Sequence, residues 1–323
     1  MASLKPKHQE KAPFISPTFS RREILTVLAG FIGSTLLSEE AQVSCSLSIG
    51  TYGLQMLPLE TVIEAVSKTG YDGIEIAAMP GYPGDPNLLS PAKRKQIKTQ
   101  LSNLDLRLDA IMAGILPSEE PAKRKANLDR LQQCFDIAHE LSPGPHLPLV
   151  QTILGGRPDQ IPSESFIDEI GTWKDLAAKH QTILAIKPHR GHTLSSPDQG
   201  IKLLKHLGPS PWLRLAFDYS HYAFRNLSIE NTIKTSLPWT SYVVLKDAIK
   251  RESDIRFALP GTTESWDQAD VIRRFYEGGY RGSFCCEISS HVWKQKNYNP
   301  ITAIQTSYKA MADAFRRAGV PRK

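Results

Sequence analysis

Residues 184–290 contain four segments of one kind: LAIKPHRGH (184–192), LRLAFDYSH (213–221), YVVLKD (242–247) and FCCEISS (284–290). Each is an apolar run that stops at a Lys, Asp, His or Glu. A continuous apolar run is the signature of a strand buried on both faces. A charge is costly in such a place unless it has partners. The charges therefore mark where each strand leaves the interior, and four strands ending this way predict one shared pocket. Side chains alternate along a strand. Ile183, Ala185 and Lys187 thus share a face, as do Arg214, Ala216 and Asp218; Tyr242, Val244 and Lys246; and Ser283, Cys285 and Glu287. Where these faces turn inward, two cations and two anions converge.

The alternation of strand and helix extends along the chain. Strands are expected over 46–53, 72–79, 106–114, 147–155, 182–189, 212–221, 241–247 and 283–289. Between them, Pro58 opens a helix that Gly70 stops, and Ser90-Pro91 places an N-cap and a first-turn proline on the next. Further helices are expected over 121–141, after Ser163 or Ser165, over 196–208, over 228–237, over 266–280 and over 299–319. Residues 248–265 read as a polar loop. Strands followed regularly by helices predict the α/β class, as a single (β/α)8 TIM barrel. The competitor is an open doubly wound sheet. No G-x-G-x-x-G follows the first strand, and Gly50-Thr51-Tyr52-Gly53 does not replace it. No linker divides the body, so residues 45–323 are expected to form one barrel domain.

Composition agrees with a globular core, at 41% apolar and 22% charged residues. The net charge of +6 is spread along the chain. Lys93-Arg94-Lys95 and Lys123-Arg124-Lys125 fall on expected helices and read as solvated faces. A nucleic-acid partner, which would ask for a concentrated basic stripe, is not expected. Cys45, Cys134, Cys285 and Cys286 show neither zinc spacing nor C-x-x-C and read as packing residues.

Residues 1–44 stand apart. The first 19 are polar, with Pro6, Pro13 and Pro17, and are expected to be disordered. Arg21-Arg22 then precedes the apolar run LTVLAGFIGSTLL (25–37), the pattern of a twin-arginine export signal. Its 13 residues are too short for a stable membrane span. Export to the periplasm follows from this reading. A cytoplasmic protein with an amphipathic N-terminal helix is the competing one. Gln42-Val43-Ser44 makes a poor lipobox for lipidation at Cys45.

Five further features fall in order: Asp218-x-x-His221 after the sixth strand, Leu245-Lys246-Asp247 after the seventh, Pro260-Gly261, Gly278-Gly279-Tyr280-Arg281-Gly282, and Glu287 in the eighth. With these, residues 46–318 resemble the sugar phosphate isomerase/epimerase superfamily, the xylose isomerase-like barrels that include ketose 3-epimerases and endonuclease IV-type enzymes. The resemblance implies one divalent metal (Mn, Mg or Zn) held by a Glu, an Asp, a His and a Glu on the last four strands, with the two glutamates moving the substrate proton. Asp218 and Glu287 match, and are the metal ligands if a metal is bound. The other two places hold Lys187 and Val244, and neither side chain can ligate as it stands. His189, His192 and His221 are the nearby nitrogen donors. The nuclease-type site asks for more strand-end histidines than this sequence has.

The candidate catalytic set is Lys187, Asp218, His221, Lys246 and Glu287. Either the lysines take the metal's electrostatic place, polarising a carbonyl or stabilising an enediolate while Glu287 or a histidine moves the proton, or the cluster plugs a barrel that only binds sugar. A Schiff base at Lys187 is opposed by the neighbouring carboxylates. Glu75, Gln151, His189, His192, Arg256 and His291 are candidate substrate contacts, and Tyr52, Trp266 and Trp293 a candidate sugar platform. The expected activity is proton transfer next to the carbonyl of a small carbohydrate by an isomerase or epimerase. The alternatives are a lyase or dehydratase on an oxidised sugar and a non-catalytic sugar-binding barrel.

Overall fold

Residues 44–158, 160–252 and 254–323 are described by a computed structural model. Its strands are β1 (Ser46–Gly50), β2 (Gly73–Ala77), β3 (Arg107–Met112), β4 (Leu149–Thr152), β5 (Leu184–Ile186), β6 (Leu213–Phe217), β7 (Thr240–Leu245), β8 (Asp247–Arg251), β9 (Asp254–Ala258) and β10 (Ser283–Cys286). All except β8 and β9 form one closed barrel, in the order β1-β2-β3-β4-β5-β6-β7-β10 and back to β1. Every neighbouring pair is parallel. This is the (β/α)8 TIM barrel. The helices are α1 (Leu59–Thr69), α2 (Pro91–Asn103), α3 (Pro121–Leu141), α4 (Glu164–Lys179), α5 (Pro197–His206), α6 (Ile229–Ser236), α7 (Gln268–Glu277), α8 (Ser290–Trp293) and α9 (Pro300–Ala318).

Local sequence fixes the helix ends. Ser90 and Ser163 each accept from the backbone N–H three residues on, and Ser196 with Gln199 makes a capping box. Gly70 closes α1 at φ 104°, a left-handed conformation that costs a glycine little. Outward-facing strand residues such as Leu47, Ile49, Ile74, Val150, Leu184 and Val243 pack with the helices in the main core. The inward faces stack in layers. At the floor, Ser46 donates to Asp109 at 3.0 Å, Arg107 pairs with Asp109 at 2.7 Å, and Ser48 and Ser283 share a hydrogen bond of 2.6 Å. Above lie Ala110, Leu149, Ala185, Ala216, Tyr242, Val244 and Cys285, an apolar middle. The charged residues form the top.

One stretch departs from the sequence reading. Residues 248–265, expected as a loop, begin with most of an antiparallel hairpin in which Asp247 pairs with Ala258 and Arg251 with Asp254. The strand β9 alternates exposed Asp254 and Arg256 with less exposed Ile255 and Phe257. That period-2 pattern is a strand signal, hidden by the charges around it. The return of the loop is pinned by buried Asp247, which accepts from Thr263 N–H at 2.8 Å and from Gln268 at 2.6 Å. All four cysteines are free and buried. Among the described residues no helix is long and apolar enough to cross a membrane. The expected export signal and the segment expected to precede it fall on residues outside those described.

Candidate active site

Lys187 follows β5, Asp218 follows β6, Lys246 follows β7 and Glu287 follows β10, and all four side chains are buried. Lys187 Nζ is 2.5 Å from Glu287 Oε2 and 3.8 Å from Asp218 Oδ2. Lys246 Nζ is 2.5 Å from Glu287 Oε1 and 3.2 Å from Asp218 Oδ2. Two ammonium groups thus alternate with two carboxylates in a ring. Each ion has opposite charge on two sides, and buried ions are tolerated only when paired in this way. The barrel order makes the four parent strands consecutive, and the alternation places Ala185, Ala216, Val244 and Cys285 one step beneath them.

The ring holds its charges. Burial favours neutral Lys187, but Glu287 and Asp218 outweigh it and raise its pKa. Burial favours protonated Glu287, but Lys187 and Lys246 pull its carboxyl down to about 2. Burial likewise opposes ionised Asp218, and Lys246, His221 and Lys187 carry it well below the usual carboxylate range. Asp218 Oδ1 accepts from the Ser220 amide at 3.1 Å and hydroxyl at 2.6 Å, bonds set up by the 3₁₀ turn Tyr219–His221. The same turn brings His221 Nε2 to 3.3 Å from both Asp218 Oδ2 and Lys246 Nζ. Arg190 N–H donates to His221 Nδ1 at 3.3 Å. Burial, then Lys246, hold His221 down to about 4. The neutral ring therefore carries its proton on Nε2, toward Asp218.

His189 stacks between His221 and His192, with centroids 3.9 and 4.2 Å away. Its Nδ1–H donates to the Arg190 carbonyl at 2.8 Å, which leaves the lone pair on Nε2. Burial and the positive neighbours push the His189 pKa far down, and burial lowers His192. Glu75 enters from β2. Gln151 Nε2 donates to its Oε2 at 3.0 Å. Gly50 leaves room for this carboxylate, since a Cβ there would lie 2.7 Å from Glu75 Oε1. Burial outweighs Lys187 and raises Glu75 to about 7.

A cavity of about 120 Å³ opens over this cluster, lined by Tyr52, Met112, Gln151, Lys187, His189 and Glu287 among others. Glu75, Asp218, His221 and Lys246 are not on its wall and lie behind those that are. His192 reaches the group through its stack on His189. Arg256 is not brought in. It is exposed on β9 and pairs with Asp254 at 2.6 Å. His291, on α8, accepts from Phe257 N–H at 3.0 Å. Phe257 is a residue the sequence did not single out. Its ring covers Lys246 Nζ at 4.5 Å and His221 at 4.9 Å, so the hairpin roofs one side of the charge ring. Of the platform aromatics, Tyr52 meets Trp293 edge-on at 6.1 Å and stacks on Tyr82 at 5.9 Å, while Trp266 packs against Tyr219 instead.

The sequence profile of xylose isomerase-like TIM barrels matches residues 63–314. The chain belongs to that family. No curated protein sequence matches this xylose isomerase-like barrel. Solved structures do. A D-psicose 3-epimerase determined with D-fructose is 18% identical, with a TM-score of 0.67 over 85% of this chain and 99% of its own. The probable 3-DHS dehydratase AsbF of Bacillus anthracis is 12% identical, with a TM-score of 0.65 over 83% and 98%. A xylose isomerase-like TIM barrel/4-hydroxyphenylpyruvate dioxygenase fusion protein is 18% identical, with a TM-score of 0.65 over 87% of this chain and 45% of its own length. At such identities the likeness is one of fold.

The divalent metal that the family resemblance implies would have to draw on Asp218 and Glu287. Both Glu287 oxygens are held by ammonium groups. Asp218 Oδ2 is buried without an aligned hydrogen-bond donor, and its near neighbours are two lysines and the protonated nitrogen of His221. Val244 sits in the apolar layer. Among the described residues no group of three or more His, Cys, Asp or Glu is arranged to hold an ion. The residues at this site do not fit a divalent metal.

Proposed function

We propose that this xylose isomerase-like barrel is an enzyme that moves a proton on the carbon next to the carbonyl of a small carbohydrate, using an ammonium group as its electrophile. The observation that carries this reading is the pair Lys187 and Glu287, 2.5 Å apart and both on the cavity wall. Removing such a proton develops negative charge on the carbonyl oxygen. A fixed cation in a site shielded from water stabilises that oxygen far better than it would in bulk solvent. Lys187 is held protonated, so it serves as a charge donor and not as an amine nucleophile. The proton acceptors on the wall are the Glu287 carboxylate and the Nε2 lone pair of His189. As substrate oxygen draws on Lys187, Glu287 loses part of one partner and becomes more basic. Return of the proton to the former carbonyl carbon, with the adjacent hydroxyl's proton passing to the former carbonyl oxygen, gives isomerisation, and return to the same carbon on its other face gives epimerisation. Loss of a β-hydroxyl from the same intermediate gives elimination. An isomerase or epimerase on a neutral or oxidised sugar is our reading.

Incubation with ketoses, aldoses and sugar acids in deuterated water tests it. NMR should show deuterium entering at the carbon beside the carbonyl, at a rate cut on the order of 10²- to 10⁴-fold in Lys187→Met. Binding without exchange across the whole panel would establish the sugar-binding reading, which the full occupancy of Glu287 by two lysines favours. Twin-arginine export of the folded barrel accompanies this proposal. Replacing Arg21 and Arg22 by lysine should keep the protein in the cytoplasm.

A further inference from the structure

Gln151 lines the cavity and Glu75 does not. The two are joined at 3.0 Å, with the amide nitrogen of Gln151 donating to Glu75 Oε2. Both side chains are almost wholly buried. In its ionised form, which Glu75 takes above about pH 7, a carboxylate can only accept hydrogen bonds, and in that form it holds the nitrogen end of the amide toward itself. The oxygen end is then left over, and Gln151 Oε1 is a buried acceptor with no donor. Buried polar atoms are nearly always paired, and an exception asks for an explanation. The oxygen belongs to a residue of the cavity wall and is itself covered in the ligand-free protein. The carboxylate is itself fitted to its place, because β1 carries Gly50 where any side chain would press on Glu75 Oε1. Lys187, just after β5, supplies opposite charge, and Glu287, Tyr242 and Cys285 are further titratable neighbours.

We infer that Gln151 is a specificity-determining residue that presents its carbonyl oxygen to the ligand and selects molecules donating a hydroxyl there, with Glu75 as the positioning residue that fixes the amide. The inference rests on the carbohydrate reading above and deepens it. The ligand class is a polyhydroxylated carbonyl compound whose carbonyl lies at Lys187 and whose hydroxyl lies at Gln151. A ligand offering a carbonyl or ether oxygen to Gln151 would bring two acceptors together, and a deoxy ligand would leave Oε1 unpaired. Both are rejected. The same logic lets sites built to hydrogen-bond a hydroxyl discriminate strongly against analogues that lack it.

Two measurements test this. In the ligand-free protein, the Gln151 side-chain amide signal, assigned by its loss in Gln151→Met, should shift when Glu75 is changed to Gln. A signal that does not respond overturns the inference whatever the ligand. In the second, binding of D-fructose and of its monodeoxy analogues is compared by calorimetry. One analogue should bind on the order of 10- to 100-fold more weakly than the parent, and that ratio should shrink to about threefold or less in Glu75→Gln and in Gln151→Met. A purely structural role for Glu75 would weaken parent and analogue alike and leave the ratio unchanged, which overturns the inference. Parent binding with no penalty for any analogue also overturns it, while the proposed function survives. An amide signal that responds to Glu75→Gln in a protein that binds no sugar supports the Glu75–Gln151 pairing and counts against the proposed function.

Discussion

Lys187 and Glu287 lie 100 residues apart in the chain and meet at 2.5 Å at the mouth of the barrel. Neither tolerates its position alone. Lys187→Met leaves Glu287 and Asp218 buried with Lys246 as their one remaining lysine, and breaking a buried pair by removing one partner typically costs about 3–5 kcal/mol. Urea unfolding should show a loss of that size. Adding Glu287→Gln to Lys187→Met should restore a large part of it, because the stranded charge is gone. A double variant no more stable than the single would show that the ring is not an energetic unit.

Glu75 gives the stability a pH signature. Its carboxyl is raised to about 7 in the folded protein from 4.5. Its contribution is therefore full below pH 4.5 and is lost as pH rises through about 7. Glu75→Gln should become progressively more stable relative to wild type between pH 5 and 8, by up to about 3 kcal/mol. His221 acts in the opposite sense. Lowered to about 4 from 6.5, it contributes stability above pH 6.5 that is lost as pH falls toward 4. The wild-type curve alone mixes the two, so the comparison is the difference between wild type and Glu75→Gln. A difference that stays flat across this range would refute the assignment.

At the floor, Gly73 lies directly against the Asp109 carboxylate, and a Cβ there would collide with it. Gly73→Ala should cost about 1–3 kcal/mol through overpacking, measured as a lower urea midpoint with unchanged m-value. Gly144, with open space around it and no left-handed φ, is the control for a glycine substitution without such a collision.

The two departures from the family's metal set can be reversed. Lys187→Glu with Val244→His would place four ligand types on the last four strands. Without metal, this variant carries three neighbouring carboxylates and should unfold at a lower temperature than wild type. Millimolar Mn²⁺ should raise its melting temperature by several degrees and leave wild type unmoved. An equal shift in both proteins would contradict the mismatch between the wild-type residues and a metal.

Much of this was legible in the chain. The apolar runs ending in Lys187, Asp218, Lys246 and Glu287 located both the strands and the charge ring, because burial on two faces and a charged exit leave a local mark. The alternation rule placed Ala185, Ala216, Val244 and Cys285 on the inner face, where they are found. Phe257 and Gly50 were not visible. Phe257 owes its place over Lys246 to a hairpin whose exposed Asp254 and Arg256 resemble loop residues. Gly50 matters through the room it leaves for a side chain on the neighbouring strand, a pairing that local sequence does not encode. The pKa order of the two glutamates was also hidden. It depends on Lys187 and Lys246 both facing Glu287, and on Glu75 being buried behind Gln151.

The layered interior has an electrical consequence. A sheet of Ala, Val, Leu, Tyr and Cys side chains separates a charged floor at Arg107 and Asp109 from a charged mouth at Lys187 and Glu287. The barrel axis thus resembles a small capacitor with an apolar dielectric. Fields cross such a layer with little screening. Rewriting a charge at the closed end of the barrel would therefore be felt inside the layer itself, at Tyr242, on which the Asp109 carboxylate already acts.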